Sequence, residues 1–258
     1  MKDVQAIIAT ITAKKGKAPI SEMTAYDYPS ARLVDEAGYD IILVGDSLGM
    51  VIMGYPDTTH VTLADMLHHV SMVARAAKNA LIVGDMPIDT YNTPEQALET
   101  ARALIAAGAD VVKLEGGVSR EAEIKAIVKA GINVQAHIGL LPQQVKEEGG
   151  YSMKGKTEEG AALLKADLEA VIRAGAFSVV IECTRYRVAH ALTKASSIPT
   201  IGIGSGHNTC DGEVNVYHDL VGAFPWFLPS FVTPKANIAK DIKQALTDWK
   251  EELRLPEE

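Results

Sequence analysis

Short apolar, β-branched runs recur along the chain, each followed by a polar or glycine-containing turn and then a helical pattern. The runs predict strands over residues 20–24, 40–44, 81–85, 111–115, 133–137, 178–182 and 200–204, with a weak eighth at 222–228. Helical periodicity fills the gaps at 28–37, 63–78, 93–107, 120–130, 158–174 and 188–196. Several of these helices end in Ala-Gly (Ala37-Gly38, Ala107-Gly108, Ala130-Gly131, Ala174-Gly175), the pattern of a glycine cap before the next strand. Strands that are hydrophobic throughout and separated by helices imply a parallel sheet covered on its outer face. Seven or eight such units predict an α/β chain closed into a (β/α)8 TIM barrel, as a single domain over residues 1–258. The first twenty residues read as an amphipathic opening helix rather than a signal peptide.

The informative positions are those where charge interrupts an apolar run. Asp46 closes IILVGD, Asp85 closes LIVGD, Glu115 closes VVKLE, His137 closes VQAH and Glu182 closes VVIE. Five strands thus deliver an ionisable group near their C-terminal ends, where the active sites of such barrels lie. Side chains alternate along a strand, so Lys113 shares a face with Glu115, and Gln135 with His137. A lysine inside an apolar strand is costly to bury unless it is paired. Taken singly, each acid could equally cap the following helix. Five on five strand ends favour a shared site.

Composition narrows the class. The 258 residues are 47% hydrophobic and 22% charged, enough for one large core, and no linker or low-complexity tract divides them. A net charge of -8, from 25 basic and 33 acidic residues, argues against a nucleic-acid partner, and no basic stripe appears. No apolar run reaches membrane-spanning length. Cys183 and Cys210 make no disulfide framework and suit a reducing compartment, so a cytoplasmic enzyme is expected. By strand parity Cys183 points away from Glu182, which favours a packing role.

Three carboxylates, Asp46, Asp85 and Glu115, without a cysteine or histidine cluster favour a hard cation with oxygen ligands, most naturally Mg2+. Zinc fits less well, since no His-x-x-x-His or Cys-x-x-Cys spacing occurs. Mg2+ chelated by a 2-oxo acid would stabilise the enolate formed when a proton leaves the carbon beside the ketone. Glu182 is then the candidate general base and Lys113 the cation near the substrate oxygens.

At Val44-Gly45-Asp46-Ser47-Leu48-Gly49-Met50 the chain resembles the signature of the ketopantoate hydroxymethyltransferase family. Further similar stretches run in order through Met23-Thr24-Ala25-Tyr26-Asp27, Gly84-Asp85-Met86-Pro87, Val112-Lys113-Leu114-Glu115-Gly116-Gly117, His137-Ile138-Gly139-Leu140, Ile181-Glu182-Cys183 and Ile198-Pro199-Thr200-Ile201-Gly202. The resemblance covers roughly residues 20 to 220. It implies transfer of a hydroxymethyl unit from 5,10-methylenetetrahydrofolate, as co-substrate, to 3-methyl-2-oxobutanoate. The implied product is 2-dehydropantoate, in pantothenate biosynthesis, made by a Mg2+-binding barrel that assembles as a homodecamer. Carried over residue by residue, Asp46 and Asp85 would hold the metal, with Glu115 in its shell, directly or through water. Ser47 and Lys113 would bind the oxo acid with those two aspartates, His137 would line the pocket, and Glu182 would accept the proton. Thr184-Arg185-Tyr186-Arg187 stands where the family usually has a hydrophobic residue and proline, which bears on substrate choice more than on reaction class. A Mg2+-dependent carbon–carbon lyase of the phosphoenolpyruvate mutase and isocitrate lyase kind is the alternative, although the Lys-Lys-Cys-Gly-like run of such lyases is missing here.

Overall fold

The computed structural model describes residues 2–147 and 149–253. Among them, eight strands close in chain order into a barrel, each paired in parallel with the next. They are β1 (Ile20–Thr24), β2 (Ile41–Val44), β3 (Leu81–Asp85), β4 (Val111–Glu115), β5 (Val134–Gly139), β6 (Ser178–Glu182), β7 (Thr200–Ile203) and β8 (Gly212–Asn215). The helices are α1 (Val4–Ala13), α2 (Tyr28–Glu36), α3 (Leu48–Val51), α4 (Leu63–Ala76), α5 (Pro94–Ala107), α6 (Glu121–Lys129), α7 (Glu158–Ala174), α8 (Tyr186–Ala195), α9 (Tyr217–Leu220) and α10 (Ile238–Glu252). The chain forms two compact units, one ending at Val214 and the other beginning at Asn215. No helix among the described residues is long and apolar enough to cross a membrane.

Local chemistry accounts for where the helices start and stop. Asp27, Thr62, Thr93 and Thr157 each accept a hydrogen bond from a first-turn backbone N–H, and Thr62 with Asp65 completes a reciprocal capping box. Pro94 follows the Thr93 cap, where its missing N–H costs nothing. Gly108 and Gly175 end α5 and α7 in the left-handed region, as the Ala-Gly punctuation predicts.

The barrel has one plugged end. Ile8 and Ile11 of α1 pack with Ile20, Ile41, Leu81, Val111, Ile201 and Val214, most of which open their strands. Burying each isoleucine contributes roughly 1.5–3 kcal/mol. Lysines of the same segment pin it to residues just ahead of the strands: Lys2 to Asp110, Lys14 to Asp40 and Lys15 to Asp211. The N-terminal mouth is therefore sealed, and chemistry is left to the opposite end.

The sequence places the eighth strand at 222–228, and there the structure corrects it. That stretch is turn and coil, with Trp226 and Phe227 exposed, whereas β8 is Gly212–Asn215. Only Val214 of the four carries an apolar side chain, so no hydrophobic run announces the strand. Backbone pairing defines it instead: Ile201 sits opposite Gly212 and Gly202 opposite Glu213, while Ile20 N donates to Asp211 O at 3.0 Å across the seam. The pattern also passes over α10, although Asn237 caps it and Ile242, Leu246 and Trp249 recur on one face.

Gly212 is where the seam tolerates no side chain. A Cβ added there would overlap the Ile20 carbonyl oxygen and lie 2.7 Å from Ile20 Cβ. Gly212→Val is expected to lower unfolding free energy by about 3 kcal/mol, a value at the upper end for overpacking. A urea midpoint unchanged from the parent would contradict this account of barrel closure.

Candidate active site

Asp85, Glu115 and Glu182 are the last residues of β3, β4 and β6, and His137 lies on β5. Register sets them side by side around the rim: Asp85 opposite Lys113, Glu115 opposite His137, and Gly139 opposite Glu182. Asp46 comes from the turn between β2 and α3, two residues past Val44. Asp46, Asp85, Lys113, Glu115 and His137 are all buried, and Glu182 keeps 15% of its side chain open.

These groups touch one another in a continuous chain. Asp46 N donates to Asp85 Oδ2 at 3.2 Å, and Asp85 Oδ1 pairs with Lys113 Nζ at 2.8 Å. Lys113 Nζ stands 3.5 Å from His137 Nδ1, and His137 Nε2 stands 3.3 Å from Glu182 Oε2. Glu115 Oε1 lies 3.6 Å from His137 Nδ1. Ser47 Oγ shares a 2.8 Å hydrogen bond with Tyr26 OH. The structure thus brings Asp46, Asp85, Lys113, Glu115, His137 and Glu182 together; Ser47 follows Asp46 directly. Arg185 and Arg187, by contrast, are exposed at the start of α8, while Thr184 is buried with its N–H on Ser205 Oγ. Cys183 lies just past β6 at φ +41°, a strained position for a residue with a Cβ.

Two contributors carry no strand-end signature. Gln143, in the turn Pro142–Gln144 after β5, donates from Nε2 to Asp46 Oδ2 at 2.8 Å and from its backbone N–H to Glu115 Oε2 at 3.1 Å. Tyr91 OH donates to Gln143 Oε1. Both sit in loops whose spacing obeys no period, so pattern reading had nothing to select them by.

Burial drives the electrostatics. It raises Asp46 to about 7, aided by repulsion from Asp85 and opposed by Lys113 and Gln143. Burial also raises Glu115 well above the carboxylate range, with Asp46 repelling and Lys113 opposing, and lifts Glu182 to about 7 against Lys113. For Lys113 burial works against the charge, yet Asp85, Glu115 and Asp46 outweigh it and its pKa is raised. Burial, then Lys113, lowers His137 well below its usual value, so the ring is neutral. His137 Nε2 is buried without a hydrogen-bond partner, 3.3 Å from Glu182 Oε2.

Four carboxylates around a lysine leave an excess of negative charge and hard oxygen donors, which suits a divalent cation of the magnesium type. Glu115 Oε1 is buried without a hydrogen-bond partner. Among the described residues no three His, Cys, Asp or Glu side chains are arranged to hold a metal ion. The donor chemistry therefore fits an ion held by one or two carboxylates, with the rest of its octahedron supplied by water and substrate.

With the geometry in place, comparison with known proteins adds independent information. The family model described as ketopantoate hydroxymethyltransferase matches residues 5–257. The chain is 47% identical over 248 residues to the 3-methyl-2-oxobutanoate hydroxymethyltransferase of Syntrophobacter fumaroxidans, covering 95% of this chain and 88% of that one. It is 51% identical over 241 residues to the enzyme of the same name from Pyrobaculum aerophilum, covering 93% and 91%. Among solved structures it is similar to a putative phosphonomutase from Burkholderia cenocepacia, at TM-score 0.71 and 19% identity over 94% of this chain and 98% of the other. A phosphonopyruvate hydrolase in complex with oxalate and Mg++ superposes at TM-score 0.66 and 15% identity over 99% and 100%. At such identities the structural likeness concerns the fold.

Beneath the rim, Glu22 of β1 is fully enclosed and accepts from Gln135 Nε2 at 3.0 Å, while Glu22 Oε1 and Gln135 Oε1 have no hydrogen-bond partner. Burial, opposed by Gln135 and Lys113, raises Glu22 from 4.5 to about 7. Folding therefore takes up a proton between those values, and the contribution of Glu22 to stability falls as pH rises through that window. Glu22→Gln removes the ionisation and offers an amide donor for the orphaned oxygen. It should stabilise the protein at pH 8 by on the order of 3 kcal/mol, at about 1.4 kcal/mol per pKa unit, with little effect at pH 4.5. Parallel stability–pH curves for parent and variant would contradict the assignment.

Proposed function

The chain belongs to the ketopantoate hydroxymethyltransferase family, and from that premise we propose that it transfers a hydroxymethyl unit from 5,10-methylenetetrahydrofolate to 3-methyl-2-oxobutanoate, giving 2-dehydropantoate. The observation that carries the reading is the state of Glu182. Of the four carboxylates at the mouth it alone is part open, and its pKa of about 7 suits a group that must both take and return a proton near neutrality.

In this reading the oxo acid enters with C3 toward Glu182 and its keto oxygen toward Lys113. Glu182 takes the C3 proton, and the electrons of that C–H bond become the carbon–carbon double bond of an enolate. Lys113 carries a charge that three carboxylates stabilise, so it meets the developing oxyanion without having to be recruited. Ser47, tethered to the Tyr26 hydroxyl, is placed to hold the substrate carboxylate. Neutral His137 stands beside Glu182 without adding a positive charge that would weaken the base. A divalent cation held by Asp46 and Asp85, with Glu115 behind them, would supply Lewis-acid polarisation of the keto oxygen. Water breaks the two C–N bonds of the folate's methylene bridge, releasing tetrahydrofolate and leaving the carbon at the formaldehyde level. The enolate carbon attacks that carbon, the C=O electrons move onto its oxygen, and the proton held by Glu182 completes the hydroxymethyl group.

Glu182→Gln should abolish exchange of the C3 hydrogen of 3-methyl-2-oxobutanoate in deuterium oxide and lower kcat by about 100- to 10,000-fold, the usual range for a general base. Binding of the oxo acid should persist. Exchange at the parental rate would remove Glu182 from this role. Turnover that proceeds without the folate would instead favour lyase chemistry on the same scaffold.

A further inference from the structure

Gln143 has no task in the scheme above, yet it is the side chain most tightly woven into the carboxylates. It is buried, and its partners lie far away along the chain: Asp46, Met86, Tyr91 and Glu115. Its Nε2 donates to Asp46 Oδ2 at 2.8 Å and to Met86 O at 3.0 Å, its backbone N–H to Glu115 Oε2 at 3.1 Å, and its Oε1 accepts from Tyr91.

An amide has two ends of nearly equal shape, and the reversed orientation would set an oxygen against the Asp46 carboxylate. Met86 O and the Asp46 carboxylate decide between them, because both accept and so hold the Nε2 end. The Tyr91 hydroxyl then donates to the remaining end, Oε1, and ties the amide down. Arg120 holds Tyr91 from the far side, its guanidinium 5.0 Å from the ring centroid and its Nη1 donating to Tyr91 O at 3.3 Å. The relay therefore runs Arg120, Tyr91, Gln143, and ends on one oxygen of Asp46 and one of Glu115. The second oxygen of Glu115 stays buried with no hydrogen-bond partner.

We infer that Gln143, tied down by Tyr91, is a positioning residue for a divalent-cation centre: its amide claims one oxygen of Asp46, leaving the other for the ion, while its backbone N–H holds Glu115 in place behind. The inference rests on the proposed metal role of Asp46, Asp85 and Glu115 and deepens it. Groups that hydrogen-bond to metal-holding side chains fix their orientation, and losing them typically weakens metal affinity by about 10- to 100-fold.

The test uses Mn2+ alone as the probe, titrated by calorimetry into purified full-length protein, with the electron paramagnetic resonance spectrum of bound Mn2+ as a second readout. Gln143→Leu, which keeps the bulk and removes both amide ends, should weaken Mn2+ binding by about 10- to 100-fold. Tyr91→Phe removes one hydroxyl, leaves the ring for Arg120, and should weaken binding in the same direction with an altered spectrum. The double variant should bind no worse than Gln143→Leu, because the phenol acts through the amide. Melting in EDTA separates packing from positioning: a lower Tm with Mn2+ affinity within twofold of the parent in both variants would overturn the inference and leave the metal reading standing. A parent protein that binds no Mn2+ would overturn both.

Discussion

Four carboxylates held out of water around Lys113 impose the constraint that the rest of the barrel answers. Burial penalises the charges of Asp46, Glu115 and Glu182, and repulsion from neighbouring carboxylates adds to it at Asp46 and Glu115. The arrangement survives because the lysine rises from the middle of β4, one pleat below Glu115, and reaches Asp85 on the neighbouring strand. A cation on the surface would be screened by water; within the barrel its field reaches all four acids. Burial, and then the same field, hold His137 well below its usual pKa. One buried charge thus sets the state of several neighbours.

Such a mouth is expensive, and the opposite end of the barrel offsets the cost. There α1 lays Ile8 and Ile11 over the first residues of the strands, and three lysine–aspartate pairs tie it down. The pairs are partly exposed and each contributes little, about 0–1 kcal/mol. Their value lies in fixing where the helix sits. The division between a packed floor and a charged rim belongs to the fold, and it lets the rim be polar without loosening the strands.

Family membership and geometry support the proposed enolisation from different directions. Membership rests on identity along nearly the whole chain, whatever the side chains do. Geometry rests on six side chains meeting at one rim, whatever the family. The likeness to a phosphonomutase and a phosphonopyruvate hydrolase adds architecture alone, and the fold by itself does not choose between transfer and cleavage.

Alternation of apolar runs and helical segments was enough to determine β3, β4 and β6 to the residue, because each is a hydrophobic run ended by a charge, and it placed β1 as well, although that strand ends on Thr24. Parity was enough to place Lys113 with Glu115, since a strand admits only two faces. Asp46, Asp85, Glu115, His137 and Glu182 were legible for the same reason: a charge at the end of an apolar run is a local signal. Tertiary structure alone decided the rest. β8 closes the barrel through backbone pairing with a glycine where no side chain fits, so its sequence carries no run to read. Gln143 and Tyr91 reach the carboxylates from loops, 97 residues from Asp46 in one case and 52 from each other, and no period links such positions. Hydrophobic patterning reports what each segment buries; which polar atoms then meet depends on how the closed barrel folds its loops over the rim.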